Sequence, residues 1–599
     1  MQGNNGKVFE LLRCKTCIQN LFIMKKVLFA LLAAGMVAAG CSKEDIFNWT
    51  GQTGSDDSAT SGVEGSTTAD IPEDSEDSID GTSFDRTISI VFSDSGNATV
   101  TGDDNGIVSI DGNSVTANNT TSEKVKYVLS GSTRNGAFKL YSSKKQAIVL
   151  DGVSITNPDG AAINNQSKKR CFVVVNGTNT LADGTTYNTT ANEDEKAAFF
   201  SEGQLIFSGE GTLNVTATGK SGITTDDYLH IIGSTINVTS TAGHGLRGKD
   251  YVLITDGNIS VTVSAAMKKG ICSDSLVVFD GGSTVIKVSG GVAYDSEDQD
   301  YKASAGVKAD YDFVMNDGSL TITNSGQGGK GITSDRDAYF QGGTIDVRVT
   351  GTNYGTSSSG NRPGSGSSSS SDDNSKSAKA IKIDGNMYVS GGDIFATAAN
   401  HEAVEAKGKL EITGGTIYAQ SKDDAVNSGD NMVITGGYVC AYSTGNDGLD
   451  ANGNLYIEGG LVYAIGSGSP EVAVDANTEE GKKLYVNGGV LFTIGGLERG
   501  SALNQTCYSA SSWSKNTWYS LTVGETTYCF KTPSSGGSTL VVSAASQPAV
   551  KSGVTTQGGT SAFNGMAVFN GSASGGSSVS LSTYSGGSSG GGPGGGGRW

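Results

Sequence analysis

The sequence predicts an all-β protein that folds as a parallel β-helix, a solenoid of about a dozen coils with about 23 residues in each. Composition is the first reason: the 599 residues include 88 glycines but only 7 prolines, with many Ser, Thr, Asn and Asp. Such a composition favours short strands joined by tight turns. The second reason is a small residue before Ile, Leu or Val that returns every 22 to 25 residues over most of the repeat region. The third is a pair of glycines between two short apolar runs, as in "KLEITGGTIYAQ".

Residues 1–40 are expected to be an upstream extension followed by a lipoprotein signal peptide. From Met24 the chain reads "MKKVLFALLAAGMVAAGC", with two lysines, an apolar stretch shorter than a membrane span, and small residues before a cysteine. "AAGC" resembles a bacterial lipobox, so we expect Cys41 to be lipidated and to become the mature N-terminus. The following "CSKED" resembles the Lys-acid-acid signal that sends some Gram-negative lipoproteins to the outer face of the outer membrane, so we expect an outer-membrane lipoprotein exposed at the cell surface. The alternative is an ordinary signal peptide with a chance cysteine.

Residues 41–84 are expected to form an acidic linker between the lipid and the folded domain. The stretch "GSDDSATSGVEGSTTADIPEDSEDSIDGTS" has almost no large apolar side chains, so it buries too little surface to fold alone. The whole chain has a formal net charge of −19, which argues against a nucleic-acid partner.

The repeats come next, and a Gly or Ala marks each of them. This marker stands at Gly222, Gly245, Gly270, Gly306, Gly331, Ala380, Ala403, Ala425, Gly448 and Ala473. Two longer steps contain insertions, at 292–302 and at the serine-rich 354–377. Counting from the marker, position 1 is always Ile, Leu or Val and position 3 is mostly small. Because side chains alternate along a strand, both positions should point inward, and positions 2 and 4 outward.

Position 4 carries a column of aspartates, which predicts a calcium site. Four consecutive coils place the carboxylates of the column about 4.8 Å apart, where they would repel one another unless a cation lay between them. Calcium is bound by carboxylate oxygens and could bridge adjacent coils. The alternative is that each aspartate only ends its strand and bonds its own turn. The expected calcium ligands are Asp226, Asp274, Asp310, Asp335 and Asp384.

Two further outward sets are candidates for carbohydrate binding. Aromatic side chains recur three positions after the paired glycines, where they could form a flat strip for sugar rings: Phe395, Tyr418, Tyr463 and Phe492. The alternative is that the C-terminal region covers them. Position 2 supplies basic side chains beside the aspartates, namely Arg247, Lys308 and Lys382. Their alternative role is an ordinary ion pair.

Residues 498–599 break the repeat and are expected to form a β-rich segment with a glycine-rich tail. The end of a solenoid exposes apolar core and open strand edges, so we expect this segment to cap the helix. Five widely spread cysteines follow Cys41, and only Cys507 with Cys529 are placed for a possible bridge.

The residues resemble a known family. The repeated G-I-x-x-D and I-T-G-G-x-I-x-A patterns, the segment "YVLSGSTRNGAFKLYSSKKQAIVLDGVSITNPDGAAI" and the end "PGGGGRW" are similar to β-helical, calcium-containing carbohydrate-binding proteins first described from a clostridial cellulose degrader. The resemblance implies a right-handed parallel β-helix, shaped like pectate lyases, over residues 85–497. It also implies binding of acidic plant polysaccharide and cellulose, with no established hydrolytic role.

Three classes of function stay open at this point. The first is a surface lipoprotein that binds polygalacturonate or cellulose with the help of calcium and without catalysis. The second is a calcium-dependent polysaccharide lyase, in which calcium acidifies a uronate and a Lys or Arg removes the neighbouring proton. The third is an adhesin that grips other cells. The sequence leaves the glycan and the oligomeric state undetermined.

Overall fold

The computed structural model describes residues 74–188, 193–355 and 375–586. It is all-β, with about 2% helix, and parallel coils of roughly 25 residues stack into a solenoid of about 14 turns. The predicted parallel β-helix is confirmed, and the strand Arg86–Phe92 already pairs in parallel with the next coil. The predicted signal peptide, the lipidation at Cys41, the linker up to residue 73, most of the serine-rich insertion and the glycine-rich tail lie outside the described residues.

Each coil contributes up to three strands, one to each face of the solenoid. We number the faces in the order in which the chain passes through them within a coil. The first face carries the repeat marker and forms a 15-stranded sheet. Its strands are Val108–Asp111, Ser114–Asn119, Ala137–Ser142, Ile163–Asn165, Ala197–Ser201, Ser221–Thr225, Leu246–Gly248, Lys269–Ser273, Ala305–Ala309, Lys330–Ser334, Lys379–Ile383, Val404–Ala406, Val426–Ser428, Leu449–Ala451 and Val474–Ala476.

The second and third faces belong to one 30-stranded sheet that bends at the paired glycines. Four long strands run through both faces: Val125–Thr133, Gln146–Asn157, Leu276–Val288 and Phe313–Asn324. The remaining second-face strands are Cys171–Asn176, Leu205–Ser208, Leu229–Ile231, Tyr251–Ile254, Ala338–Phe340, Met387–Val389, Leu410–Ile412, Met432–Ile434, Leu455–Ile457, Leu484–Val486 and Ala502–Leu503. The remaining third-face strands are Thr178–Asp183, Thr212–Ala217, Thr235–Ser240, Asn258–Val263, Thr344–Val349, Asp393–Ala398, Thr416–Ser421, Tyr438–Ser443, Leu461–Ile465 and Val490–Ile494.

The core confirms the predicted alternation on the first face. Position 1 is buried throughout, from Ile223 to Val474, and so is position 3, from Thr225 to Ala476. The bend between the second and third faces needs glycine, because the second residue of the pair has a positive φ, as at Gly343 and Gly415. The marker is small for a different reason. A Cβ on Gly331 would lie 2.1 Å from Cγ1 of Val347 and 2.4 Å from the carbonyl oxygen of Ala380.

The C-terminal segment closes the solenoid and also covers part of it. Leu540–Ser543 pairs antiparallel with the third-face strand Val490–Ile494, which removes an open edge. The strands Cys507–Ala510 and Ser582–Thr583 extend the same sheet. A separate six-stranded antiparallel sheet follows the order Thr560–Ala562, Ala567–Phe569, Thr526–Lys531, Trp518–Val523, Ala549–Gln557 and Ser572–Ser578. Cys507 and Cys529 are free thiols, so the possible bridge between them is not formed.

Short elements complete the described chain. The hairpin Ala293–Asp295 and Asp300–Lys302 lies in the first insertion, and Thr99–Thr101 pairs antiparallel with Arg86–Phe92. The described helical turns are of the 3-10 type: Ser75–Asp77, Ile79–Gly81, Thr478–Glu480 and Phe563–Gly565. No helix in these ranges is long and apolar enough to cross a membrane.

Candidate functional site

The aspartate column of the first face is interleaved with basic side chains. Arg247 donates to both carboxylate oxygens of Asp274, at 2.8 and 2.6 Å, and its other terminal nitrogen lies 4.0 Å from Asp226. Lys308 bridges Asp310, at 2.9 Å, and Asp335 in the next coil. The predicted aspartate column and the predicted basic residues Arg247, Lys308 and Lys382 therefore form one network of ion pairs. We call this network the charge ladder.

The rest of the ladder repeats this pairing. Lys382 and Lys407 hold Asp384 at 2.6 and 2.7 Å, and Lys196 holds Asp226 at 2.5 Å. Burial acts to raise the pKa of Asp384, but the two ammonium groups outweigh it and lower that pKa below its ordinary value. Each aspartate of the predicted calcium column thus has a basic partner.

The predicted calcium column does not fit a calcium ion. Calcium takes six to eight oxygen ligands. Between Asp310 and Asp335, where we expected the ion, the structure places the ammonium group of Lys308 instead. The premise of an uncompensated column was wrong, because position 2 of one coil supplies the cation for position 4 of its own or a neighbouring coil. The alternative of an ordinary ion pair describes Arg247, Lys308 and Lys382.

The aromatic column is largely closed to ligands. Tyr463 and Phe492 are 0% exposed and Tyr418 is 4% exposed, all within a cluster shared with the C-terminal segment. The ring of Phe530 stacks on Phe492 with 4.7 Å between centroids, and Tyr463 donates a hydrogen bond to the carbonyl of Lys531 at 2.8 Å. These three residues are part of a buried interface, so the prediction that they bind carbohydrate was wrong.

Phe395 marks the boundary of the covered region. Its ring stacks on Tyr418 with 5.0 Å between centroids, and the guanidinium of Arg348 lies 4.4 Å from its centroid. Because Tyr418 and the Arg348 guanidinium both lie against the Phe395 ring, its faces are not free for a sugar ring to stack on as we expected. Arg348 is itself fixed by two bonds of 2.9 Å to Asp346 and remains 52% exposed.

Beyond that boundary the third face is uncovered and polar, a feature not recognised from the sequence. We call the outward residues of its seven strands from Thr178–Asp183 to Thr344–Val349 the open third face. Sixteen of these twenty-one side chains are Thr, Ser or Asn, and all are exposed or half-buried. The pairing is in register from coil to coil, as in Thr212 with Thr235 and Asn258. The signal was present in the alternation of "TLNVTA" and "TINVTS", whose Thr and Asn fall on the outward positions.

The open third face has a local positive charge on an acidic protein. Its charged side chains are Lys287, Asp346 and Arg348, which sum to +1. Lys287 is exposed and forms no ion pair with a described residue. It shares a column with Arg348, since Lys287 pairs with Thr323 and Thr323 with Arg348. An open groove of about 400 Å³ runs beside this face, lined by the glycine turns of three coils, which include Glu210 and Asp256, and by Thr235 and Asn258.

Carboxylates that form no ion pair with a described basic residue occur further along the first face. Burial raises the pKa of Asp424 to about 8 and that of Asp475 to about 9, and neighbouring acids add to both shifts. Burial likewise raises the pKa of Asp447 to about 7, with Glu471 contributing, and that of Asp450 to about 6. We call these four residues the acidic columns.

Comparison with known proteins gives a family. No curated protein matches the chain. A solved structure of a polysaccharide lyase-like protein from C. thermocellum, a gadolinium derivative, aligns over 44% of this chain and 95% of its own, with 22% identity and a TM-score of 0.34. The family described as carbohydrate-binding domain-containing protein matches residues 111–275, 261–353 and 324–425, which together span more than half of the chain. The chain therefore belongs to the family of carbohydrate-binding domain-containing proteins.

Proposed function

We propose that the protein binds polysaccharide without cleaving it, along the open third face. The observation that carries this proposal is the flat array of Thr, Ser and Asn side chains, in register over seven coils and left uncovered by the C-terminal segment. Hydroxyl and amide groups can both donate and accept hydrogen bonds, so such an array suits the many hydroxyls of an extended glycan.

An acidic plant-type polymer such as polygalacturonate is the proposed ligand. A chain of net charge −19 repels a polyanion on average, so binding must occur where the local field is positive. On the open third face the cations for such contacts are Lys287, which forms no ion pair with a described residue, and Arg348, which is paired with Asp346 but 52% exposed. They lie two coils apart, about 10 Å along the axis, so one extended polymer can reach both.

The test compares a double variant with a matched control. Lys287→Ala with Arg348→Ala should weaken retention on immobilised polygalacturonate about tenfold, while Lys482→Ala with Arg499→Ala, which removes two exposed cations elsewhere, should change it less than twofold. Equal effects of both pairs would show that only net charge matters. Absence of retention for the unchanged protein on any polysaccharide would remove the proposal and leave the adhesin class.

The lyase is the second candidate, and the ladder weakens it. A general base must be free to take a proton, whereas Lys308 is held between two carboxylates. Assay of unsaturated products by near-ultraviolet absorbance should show no turnover. Steady product formation that Lys308→Ala abolishes would favour the lyase.

Calcium and the surface location are also proposed. We propose that calcium binds outside the charge ladder, where carboxylates lack a basic partner, and that elemental analysis will find it in protein dialysed against a calcium buffer.

We further propose that Cys41 carries the lipid of an outer-membrane lipoprotein. Cys41→Ala should abolish incorporation of labelled fatty acid and release the protein from the membrane fraction. Incorporation that survives this substitution would contradict the anchor.

A further inference from the structure

Two stacked turns near the N-terminal end of the solenoid concentrate basic side chains. One turn precedes Gln146–Asn157 and the other precedes Cys171–Asn176, and Gln146 pairs with Cys171, so the turns lie in adjacent coils. Together they hold Lys144, Lys145, Lys168, Lys169 and Arg170, which we call the basic turns. They form a local positive patch on a chain whose net charge is −19.

The inner half of this patch already binds carboxylates. Residues 74–77, which we call the acidic strap, belong to the segment expected to be a linker, yet they dock on the basic turns. Arg170 bonds Asp74 at 2.6 Å and Glu76 at 3.1 Å, and Lys145 bonds Glu76 at 2.8 Å.

The strap is anchored at one buried point. Asp77 is 4% exposed and accepts a hydrogen bond from the hydroxyl of Tyr228 at 2.5 Å. The Nδ1 atom of His230 lies 2.6 Å from the same carboxylate, and Nε of Arg170 lies 3.2 Å from it. Asp77 therefore fixes the strap to the solenoid independently of Asp74 and Glu76.

The outer half of the patch has no such partner. Lys168 and Lys169 are exposed and Lys144 is half-buried, and none of the three forms an ion pair with a described residue. The contacts of Asp74 and Glu76 are weak by comparison with that of Asp77, because their side chains are 39% and 65% exposed. Exposed ion pairs contribute about 0 to 1 kcal/mol, so a polymer that brings several carboxylates could replace them.

We propose that the basic turns are a second binding site for acidic polysaccharide, and that the acidic strap competes with the polymer for its inner half. The ligand class is a polyuronate, because the strap shows that these side chains accept closely spaced carboxylates. Binding would exchange the carboxylates of Asp74 and Glu76 for those of the polymer while Asp77 stays in place. The inference rests on the proposed function and gives that polymer a second contact, at the turn that precedes Cys171–Asn176 in the coil where the open third face begins.

The experiment measures the affinity of the full chain for polygalacturonate by calorimetry, at two salt concentrations. Lys168→Ala with Lys169→Ala should lower the affinity at least fivefold and reduce its salt dependence. Lys482→Ala with Lys483→Ala is the matched control, since it removes two consecutive exposed lysines from a distant turn, and it should change affinity less than twofold. Asp74→Asn with Glu76→Gln frees the inner half without changing Asp77, and should raise the affinity about threefold or more. Melting curves should show that all variants stay folded.

Each other outcome decides against the proposal. Binding by the unchanged protein that Lys168→Ala with Lys169→Ala does not weaken would leave the proposed function standing and remove the second site. An affinity unchanged or lowered by Asp74→Asn with Glu76→Gln would remove the competition. Loss of binding to phosphatidylglycerol vesicles, but not to polygalacturonate, in the lysine variant would assign the basic turns to a lipid surface. If the unchanged protein binds no polyuronate, both the proposed function and this inference fail.

Discussion

At the scale of single residues, the charge ladder shows how a stacked fold tolerates a column of like charges. Aspartates one coil apart repel one another, and the sequence alone suggests a metal ion as the remedy. The structure uses Lys308 and Arg247, each placed two positions before an aspartate of the column or beside one in the next coil. Such pairs are partly exposed, so each contributes little stability alone, and their main effect is to remove the repulsion.

Removing one basic residue of the ladder should create a calcium dependence that the unchanged ladder lacks. In Lys308→Met, Asp310 and Asp335 face each other without a cation, so we expect the melting temperature to fall by about 3 °C in chelator and to recover in millimolar calcium. The measurement is differential scanning calorimetry with and without calcium.

The control for this prediction adds Asp310→Asn and Asp335→Asn to Lys308→Met. This triple variant has no carboxylates at the gap, so its calcium response should equal that of the unchanged protein. If calcium changes the melting temperature of Lys308→Met no more than that of the unchanged protein, the prediction fails, and the Lys308 ammonium group does not take the place of a calcium ion.

At the scale of the element, the first face changes character along its length. The coils from Arg247 to Lys407 pair every aspartate of the column with a base, whereas the acidic columns at Asp424, Asp447, Asp450 and Asp475 have none among the described residues. In the folded protein their protons are held to higher pH than in the unfolded chain. The pKa of Asp424, for example, rises from 3.8 to about 8 through burial and the proximity of Asp450.

The acidic columns should make metal-free protein less stable as the pH rises. Between pH 4 and about pH 8 the folded state keeps protons that the unfolded state has lost, so the free energy of unfolding falls with increasing pH. We expect the melting temperature in chelator to be about 5 °C higher at pH 5 than at pH 8. Asp424→Asn with Asp450→Asn should remove much of this difference.

The matched control for the pH dependence is Asp317→Asn with Asp393→Asn, two exposed acids on other faces. It should leave the slope of melting temperature against pH unchanged. A slope that is flat in the unchanged protein, or that both pairs reduce equally, would show that the carboxylates of the acidic columns do not titrate as their surroundings suggest.

The repeat elements could be predicted from the sequence, whereas the segments that cover them could not. Period, alternation and glycine turns are local properties, so the inward residues of the first face, such as Ile223 and Ile332, could be predicted from the chain. The covering of Tyr463 and Phe492 depends on contacts with residues far along the chain, and local patterns do not encode such contacts. The docking of residues 74–84 was missed for the same reason, because ion pairs to Arg170 and the contact of Phe84 with Phe172 hold a segment of low hydrophobicity.

At the scale of the whole molecule, coverage divides the third face into a polar half and an apolar half. Side chains that point outward are mostly polar from Thr178 to Thr344, whereas aromatic rings enter the outward set at Phe395 and Tyr418, and aromatic or aliphatic side chains predominate from Tyr438 to Ile494. The change occurs where the C-terminal segment begins to cover the coils, so that segment serves as a lateral cover as well as an end cap. The open half then remains available for a ligand.

Weakening this cover should loosen the nearby coils and leave distant coils intact. Phe530→Ala removes a ring that stacks on Phe492 and lies 5.2 Å from Tyr463, and a buried Phe of this kind costs about 3 to 5 kcal/mol when truncated. Because each coil of a solenoid contacts mainly its neighbours, hydrogen exchange should increase in the third-face strands from Thr416 to Ile494 and stay unchanged from Thr212 to Val349. Phe569→Ala, at the half-buried edge of the cover, is the control and should have a smaller effect.

Polygalacturonate retention should be the same for both variants, since the open third face is far from the cavity that the truncation of Phe530 leaves. An increase in retention for Phe530→Ala would mean that the covered aromatic column binds sugar once exposed, and would contradict the assignment of binding to the polar half.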